Sequence, residues 1–282
     1  MKILFAGTPA FAVKPLEALI QTGNVVGVIT QEDKIQGRKK QLTPSPVKTC
    51  ALSHGVPVFQ PAKIREHIEE LRDFKADAMI TCAYGQILTQ EVLDCFKKGV
   101  WNIHAGLLPA YRGASPVQNC ILNGETAGEL SARLSELSAT LIQKALPLIE
   151  NGGYVLQKQG EEGAHIYRKI TREQAKIDFS EPAFSVANKI RAMNPQPVAF
   201  SSLRGAPVNF YLAEALPEES LPEEFYPAQP GEVLTDKPKS GLLVRCGAGA
   251  VKMLSLQPAG GKIMSGADFL NGKKATKGEV FE

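Results

Sequence analysis

Asn102 and His104 stand at the end of a short apolar run, inside the stretch V-W-N-I-H-A-G-L-L-P-A-Y-R-G-A-S-P-V-Q that covers Val100–Gln118. A primary amide donates hydrogen bonds, and an imidazole takes up or releases a proton near neutral pH. Strand periodicity is two, so these side chains share one face at the strand's end. Ala105–Pro109 is too small and too apolar for an ordinary solvated loop. Arg112 and Gly113 follow, then Ser115-Pro116, a good N-cap and first helical residue. In open α/β sheets ligands bind beyond the carboxyl ends of strands, which makes this pair a candidate site. A core Asn beside a hydrogen-bonded core His has the same spacing, and spacing alone leaves both readings open.

The flanking elements would have to hold the pair in place. Lys2–Ala6 predicts a buried strand, broken by Gly7-Thr8-Pro9, and Phe11–Gln21 has helical period. No G-x-G-x-x-G follows Gly7, so a dinucleotide site is poorly supported. Asn24–Thr30 is a second strand, Val47–His54 a short helix, Val56–Gln60 a strand and Ile64–Phe74 a helix. Asp77–Ala83 is a nearly continuous apolar strand, as a sheet covered on both faces demands. Tyr84-Gly85-Gln86 then sits at a strand's carboxyl end, and Thr89 caps a helix reaching about Phe96. Strands alternate with helices up to Gly99–His104, which predicts a doubly wound parallel sheet.

Pro116–Leu122 is predicted helical. Glu129–Leu146 is a strong amphipathic helix with Leu130, Leu134, Leu137, Leu141 and Ala145 on one face. Only Asn123–Gly128 separates the two helices, and no strand fits there. Asn151–Lys169 is a polar linker, followed by a helix over Phe184–Met193 and a turn at Asn194-Pro195-Gln196-Pro197. Short strands then follow at Val198–Leu203, Pro207–Leu212, Gly231–Leu234, Gly241–Cys246 and Ala250–Leu256, a spacing that argues for a small β-barrel. Leu216–Pro230, with Glu218, Glu219, Glu223 and Glu224, is expected to be a solvated connection.

Length and composition agree with this division. A chain of 282 residues is long for one core, so two domains are expected. The expected domains are residues 1–150, a linker over 151–177, and residues 178–282. No apolar run approaches a membrane span, and the N-terminal stretch does not read as a signal peptide. The net charge of +3 assigns no nucleic-acid partner by itself. The five cysteines, Cys50, Cys82, Cys95, Cys120 and Cys246, are widely spaced without C-x-x-C and suit reduced thiols in a cytosol. His54, His67, His104 and His165 have no metal-ligand spacing, and no metal is expected. Gln31–Pro46 predicts a long polar loop carrying Lys34, Arg38, Lys39 and Lys40. Such cations around a glycine suit phosphate contact; the alternative is a solvated charge run. Lys262, Lys273, Lys274 and Lys277 leave the same two readings for the C-terminal end.

The motifs carry a family resemblance. A-G-T-P-x-F-A at Ala6–Ala12, T-Q-x-D at Thr30–Asp33, G-R-x-x-x-L-x-P-S-P-V-K at Gly37–Lys48 and A-Y-G at Ala83–Gly85 are similar to the methionyl-tRNA formyltransferases. So are N-x-H-x-x-L-L-P-x-x-R-G-A-x-P-x-Q at Asn102–Gln118 and L-Q-P-A-G at Leu256–Gly260. The central motif belongs to the wider folate-dependent group; the basic loop and the barrel point to the tRNA branch. The resemblance implies a Rossmann-like sheet followed by a smaller C-terminal β-barrel resembling an OB-fold, the latter binding tRNA. It implies formyl transfer from 10-formyltetrahydrofolate, a co-substrate, to the amino group of initiator methionyl-tRNA. It also implies that Asn102 and His104 are two members of an Asn-His-Asp set. By the same resemblance Gly106, Leu107, Leu108 and Pro109, with Tyr84 and Gly85, contact folate. Arg38, with Lys39 and Lys40, approaches the tRNA acceptor end. A cytoplasmic monomer is expected.

Two departures stand out. Gly106 replaces the family's usual Ser, which removes a hydroxyl and leaves backbone contacts intact. Between Thr126 and Glu129, family members carry roughly thirty more residues, longer than an ordinary connection. That stretch includes strand segments and the turn that supplies the catalytic Asp. Either the segment belongs to the native protein and is missing from this sequence, or the chain lacks it. In the second case a catalytically impaired folate- or tRNA-binding protein becomes the rival reading. A formyltransferase for a small amine is the same-class rival, and it would have no use for the basic loop.

Overall fold

The computed structural model of the chain describes residues 1–36, 40–119 and 126–282. It divides into two compact units: Met1–Leu107 with Ser131–Glu161, and Leu108–Leu130 with Glu162–Glu282.

The first unit grows from β1 (Ile3–Gly7), buried along its whole length. α1 (Val13–Ile20) buries Leu16 and Leu19, and β2 (Val25–Ile29) follows. Within the predicted long polar loop, β3 (Lys34–Gln36) and β4 (Gln41–Thr43) form an antiparallel hairpin. The hairpin was hidden because its arms are three residues each and carry one apolar side chain apiece, Ile35 and Leu42, both exposed. α2 (Pro46–Ser53) starts where Ser45 Oγ accepts the Lys48 N–H at 3.0 Å, with Pro46 in the first turn. β5 (Val58–Phe59), α3 (Ile68–Asp73), β6 (Ala78–Cys82), α4 (Gln90–Leu93) and β7 (Val100–Ile103) complete the series. The five strands run parallel in the order β5-β2-β1-β6-β7. The winding reverses between β1 and β6, the switch point beyond which such sheets bind ligands.

β8 (Tyr111–Gly113), α5 (Pro116–Asn119), α6 (Ala127–Asn151) and β9 (His165–Tyr167) follow in the chain. Residues 120–122, where the sequence predicts more helix, lie outside the described residues. α6 opens on a capping box: Thr126 Oγ1 accepts the Glu129 N–H at 3.2 Å, and Glu129 Oε2 accepts the Thr126 N–H at 2.8 Å.

Its core-facing side differs from the expected leucine stripe. Ile142, Leu146 and Ile149 are buried with Ser135 and Ser138, whereas Leu137 and Leu141 are 52% and 55% exposed. Both buried serines are satisfied, Ser135 by donating to the Phe11 carbonyl across the packing surface and Ser138 by donating to the Leu134 carbonyl one turn back, both at 2.7 Å. β9 lies within the predicted linker and pairs in parallel with β8. Gly113, at φ +99°, permits this: a Cβ there would lie 2.2 Å from the Tyr167 carbonyl oxygen.

The second unit continues with α7 (Ala183–Ala192), β10 (Ala199–Leu203), β11 (Ala206–Leu216), β12 (Leu242–Arg245), β13 (Ala250–Pro258) and α8 (Gly266–Asn271). The sheet is antiparallel in the order β10-β11-β13-β12. Register shifts along β11 against β13 curl it. Single bridges, Leu203 to Phe281, Glu232 to Val280 and Val233 to Val244, wrap it further, and the predicted strand over Gly231–Leu234 contributes only to these.

Residues 216–230 are not simply solvated. Leu221 and Phe225 are buried, and Glu218 forms a salt bridge at 2.7 Å with the buried Arg245. The architecture is a Rossmann-like doubly wound sheet followed by a smaller, barrel-like β unit.

Candidate active site

The first unit gathers polar side chains at the carboxyl ends of β1, β2, β6 and β7. Asn102 is exposed on β7, and its register partner on β6 is Thr81. The Thr81 hydroxyl donates to Asn102 Oδ1 at 2.9 Å, so the oxygen end of the amide is occupied and its NH2 end remains a donor. His104, half-buried, follows one residue beyond the end of β7. Next comes the Gly106–Pro109 turn, in which Leu107 is 82% and Leu108 50% exposed. The division between the two units falls between Leu107 and Leu108.

At the end of β6 the backbone twice enters the left-handed region, which glycine adopts freely and alanine does not. Ala83 has φ +48° and Gly85 φ +87°. The turn sends the Tyr84 ring into the core, where burial pushes its hydroxyl up to about 12 and leaves it without a partner among the described residues. Only the Tyr84 backbone stays on the site side. Its carbonyl accepts the Thr8 hydroxyl and the Gln31 amide, each at 3.0 Å. Cys82, also buried, has its thiol pushed up to about 12, which removes it as a nucleophile.

Sequence reasoning gave no role to the brace that ties these strand ends together. Gln60 Nε2 donates to the Gln31 carbonyl and to Asp33 Oδ1, both at 2.8 Å. Lys48 Nζ meets Asp33 Oδ2 at 2.7 Å. The Lys48 ammonium, with the Gln60 amide, holds the Asp33 carboxyl below the usual carboxylate range. Lys34 folds back onto Gln31 Oε1 at 2.8 Å. The signal was present, since Thr8, Gln31, Asp33 and Lys48 all fall within the motifs quoted above, but composition could not connect them. Of the loop cations, Lys40 is exposed, while Arg38 and Lys39 lie outside the described residues. Among the described residues no group of His, Cys, Asp and Glu could hold a metal ion, and no helix is long and apolar enough to cross a membrane.

A doubly wound parallel sheet joined in one chain to a barrel-like β unit is here the architecture of a formyl transferase, as the family models show. Residues 1–132 match the family described as "Formyl transferase", and residues 169–274 match "Formyl transferase, C-terminal domain". The methionyl-tRNA formyltransferase of Solibacter usitatus is 37% identical over 313 positions, covering 99% of this chain and 98% of its own. That of Chromobacterium violaceum is 39% identical with the same coverage. The chain belongs to the methionyl-tRNA formyltransferase family.

Solved structures show the same fold at lower identity. The methionyl-tRNA formyltransferase from Clostridium thermocellum has TM-score 0.54 at 17% identity, covering 76% of this chain and 93% of that one. HypX from Aquifex aeolicus in complex with tetrahydrofolic acid has TM-score 0.63 at 18% identity; the match covers 96% of this chain but only 47% of the HypX chain. The alignment with the Solibacter protein spans 313 positions against 282 residues here, so at least thirty-one of its positions face no residue of this chain.

Proposed function

We infer that this chain transfers a formyl group from 10-formyltetrahydrofolate to the amino group of initiator methionyl-tRNA. The amine attacks the formyl carbon, and the carbonyl oxygen becomes an oxyanion in the tetrahedral intermediate. Collapse of the intermediate releases the folate nitrogen, which takes up the proton given up by the amine. The Asn102 NH2 donates to the oxyanion; a donor of this kind is typically worth about 10²–10³ in rate. His104 carries the proton between the two nitrogens, a role typically worth about 10²–10⁴.

The exposed turn Gly106–Pro109, with Gly85 and the Tyr84 backbone, takes the pterin and keeps water from it. Arg38, Lys39 and Lys40 meet tRNA phosphates, and residues 178–282 form the tRNA-binding domain beyond a linker at 151–177. The protein acts as a cytoplasmic monomer and uses no metal. The observation that carries this reading is the Asn102 amide, exposed at a strand's carboxyl end with its oxygen already occupied by Thr81.

The test is formyl transfer to methionyl-tRNA by Asn102→Ala and His104→Ala, separately and together. Each single variant is expected to lose about 10²-fold or more. Full activity in the double variant overturns the assignment. In the same assay, Arg38→Ala weakens tRNA affinity and flattens its salt dependence, because a phosphate contact that releases counterions is gone. An unchanged salt slope removes Arg38 from the tRNA contact.

A further inference from the structure

We propose that Thr81 is a positioning residue that fixes the orientation of the Asn102 amide, an inference that rests on the role given to Asn102 above. The two residues are direct register partners on the parallel strands β6 and β7. Their environments are opposite: Thr81 is 7% exposed, while Asn102 stands in solvent. An exposed Asn at a strand end samples several rotamers, and the two ends of its amide have opposite hydrogen-bonding character. Stabilising an oxyanion requires the NH2 end. A hydroxyl that donates to Oδ1 selects the orientation in which the NH2 end is left for the ligand.

Thr81 is well suited to hold that orientation. Its branched Cβ on a buried strand restricts χ1, so the hydroxyl stays in place. Its other acceptor, the Trp101 carbonyl, lies 3.5 Å away, too far to compete with Asn102 Oδ1 at 2.9 Å. The rest of Ala78–Cys82 is apolar, and a valine would fill the same volume. The hydroxyl therefore serves the contact to Asn102 rather than the packing of the strand.

Thr81→Val removes the hydroxyl and keeps the shape, and Thr81→Ser keeps the hydroxyl. In Thr81→Val, kcat for formyl transfer is expected to fall about five- to tenfold, the scale of one lost hydrogen bond, with KM for methionyl-tRNA unchanged. Thr81→Ser is expected to restore most of kcat. In an Asn102→Ala background, Thr81→Val is expected to have no further effect, because the group it orients is gone. A second readout does not depend on turnover: crystal structures are expected to show one Asn102 rotamer in the wild type and several in Thr81→Val. The proposal is overturned if Thr81→Val keeps wild-type kcat and a single Asn102 rotamer. It is equally overturned if Thr81→Val lowers kcat as much without Asn102 as with it. Full activity in Asn102→Ala would overturn the role of Asn102 itself. Loss in Asn102→Ala with no effect of Thr81→Val would overturn only the positioning role.

Discussion

Ala83 and Gly85 show how the site's demands are met one residue at a time. Both have positive φ on either side of a tyrosine that must turn inward, yet one carries a Cβ and the other does not. At Gly85 a Cβ would lie 2.4 Å from Gln31 Nε2, the amide that bonds the Tyr84 carbonyl. Gly85→Ala is therefore expected to destabilise by about 1–2 kcal/mol from backbone strain, and to push Gln31 off the Tyr84 carbonyl. Ala83→Gly releases similar strain, and the freer unfolded chain takes back about 0.5–1 kcal/mol, leaving a small net stabilisation. Denaturant unfolding of the two variants checks this by the sign of the midpoint shift, opposite in the two cases. The A-Y-G motif was legible as a turn at a strand end, but the inward course of the tyrosine was not. A tyrosine's ring serves as well in a core as against a ligand, and only the backbone angles decide which.

The elements were legible wherever apolar period was long and unambiguous, as in β1, β2, β6, α1 and α7. α6 was legible as a helix but not in its orientation, because it is apolar on two adjacent faces. The leucine stripe carries more hydrophobic surface, yet the face with two serines is the buried one. Leu137→Glu and Leu141→Glu should each leave stability within about 0.5 kcal/mol, as surface substitutions do. Ile142→Ala should cost about 2–5 kcal/mol as a core truncation. Equal losses at Leu141 and Ile142 in denaturant unfolding would reverse the assignment of the faces.

The connection after β11 was misread for a related reason: an acidic, proline-containing stretch looks solvated whether or not one carboxylate has a buried partner. Arg245, with the Gly249 N–H, holds Glu218 below its ordinary value of 4.5. A depressed carboxyl stabilises the fold above its unfolded pKa and loses that contribution as pH falls through the folded value. The wild type should therefore melt above Glu218→Gln at pH 7, and thermal scans should show the gap closing as pH drops below about 4.5.

At the scale of the whole molecule, both fold classes were readable from the switch in period near Val198, and the motifs carried the family. What no periodicity could supply is the stretch that the Solibacter protein has and this sequence leaves unmatched, at least thirty-one positions of the alignment. Among the described residues β7, the strand that carries Asn102, is an edge of a five-stranded sheet. The family resemblance places further strands and a carboxylate in the missing stretch. The resemblance sets that stretch between Thr126 and Glu129, where a capping box now opens α6, so a graft goes between those two residues. Inserting the corresponding residues of the Solibacter protein there should raise the single-turnover rate, by up to about 10⁴ if the carboxylate orients His104 as in a serine-protease triad. The same graft with its Asp replaced by Asn should restore stability without restoring the rate, which separates loss of the carboxylate from loss of the strands. An unchanged rate in the first graft would mean that Asn102 and His104 carry formyl transfer in this chain without a third residue.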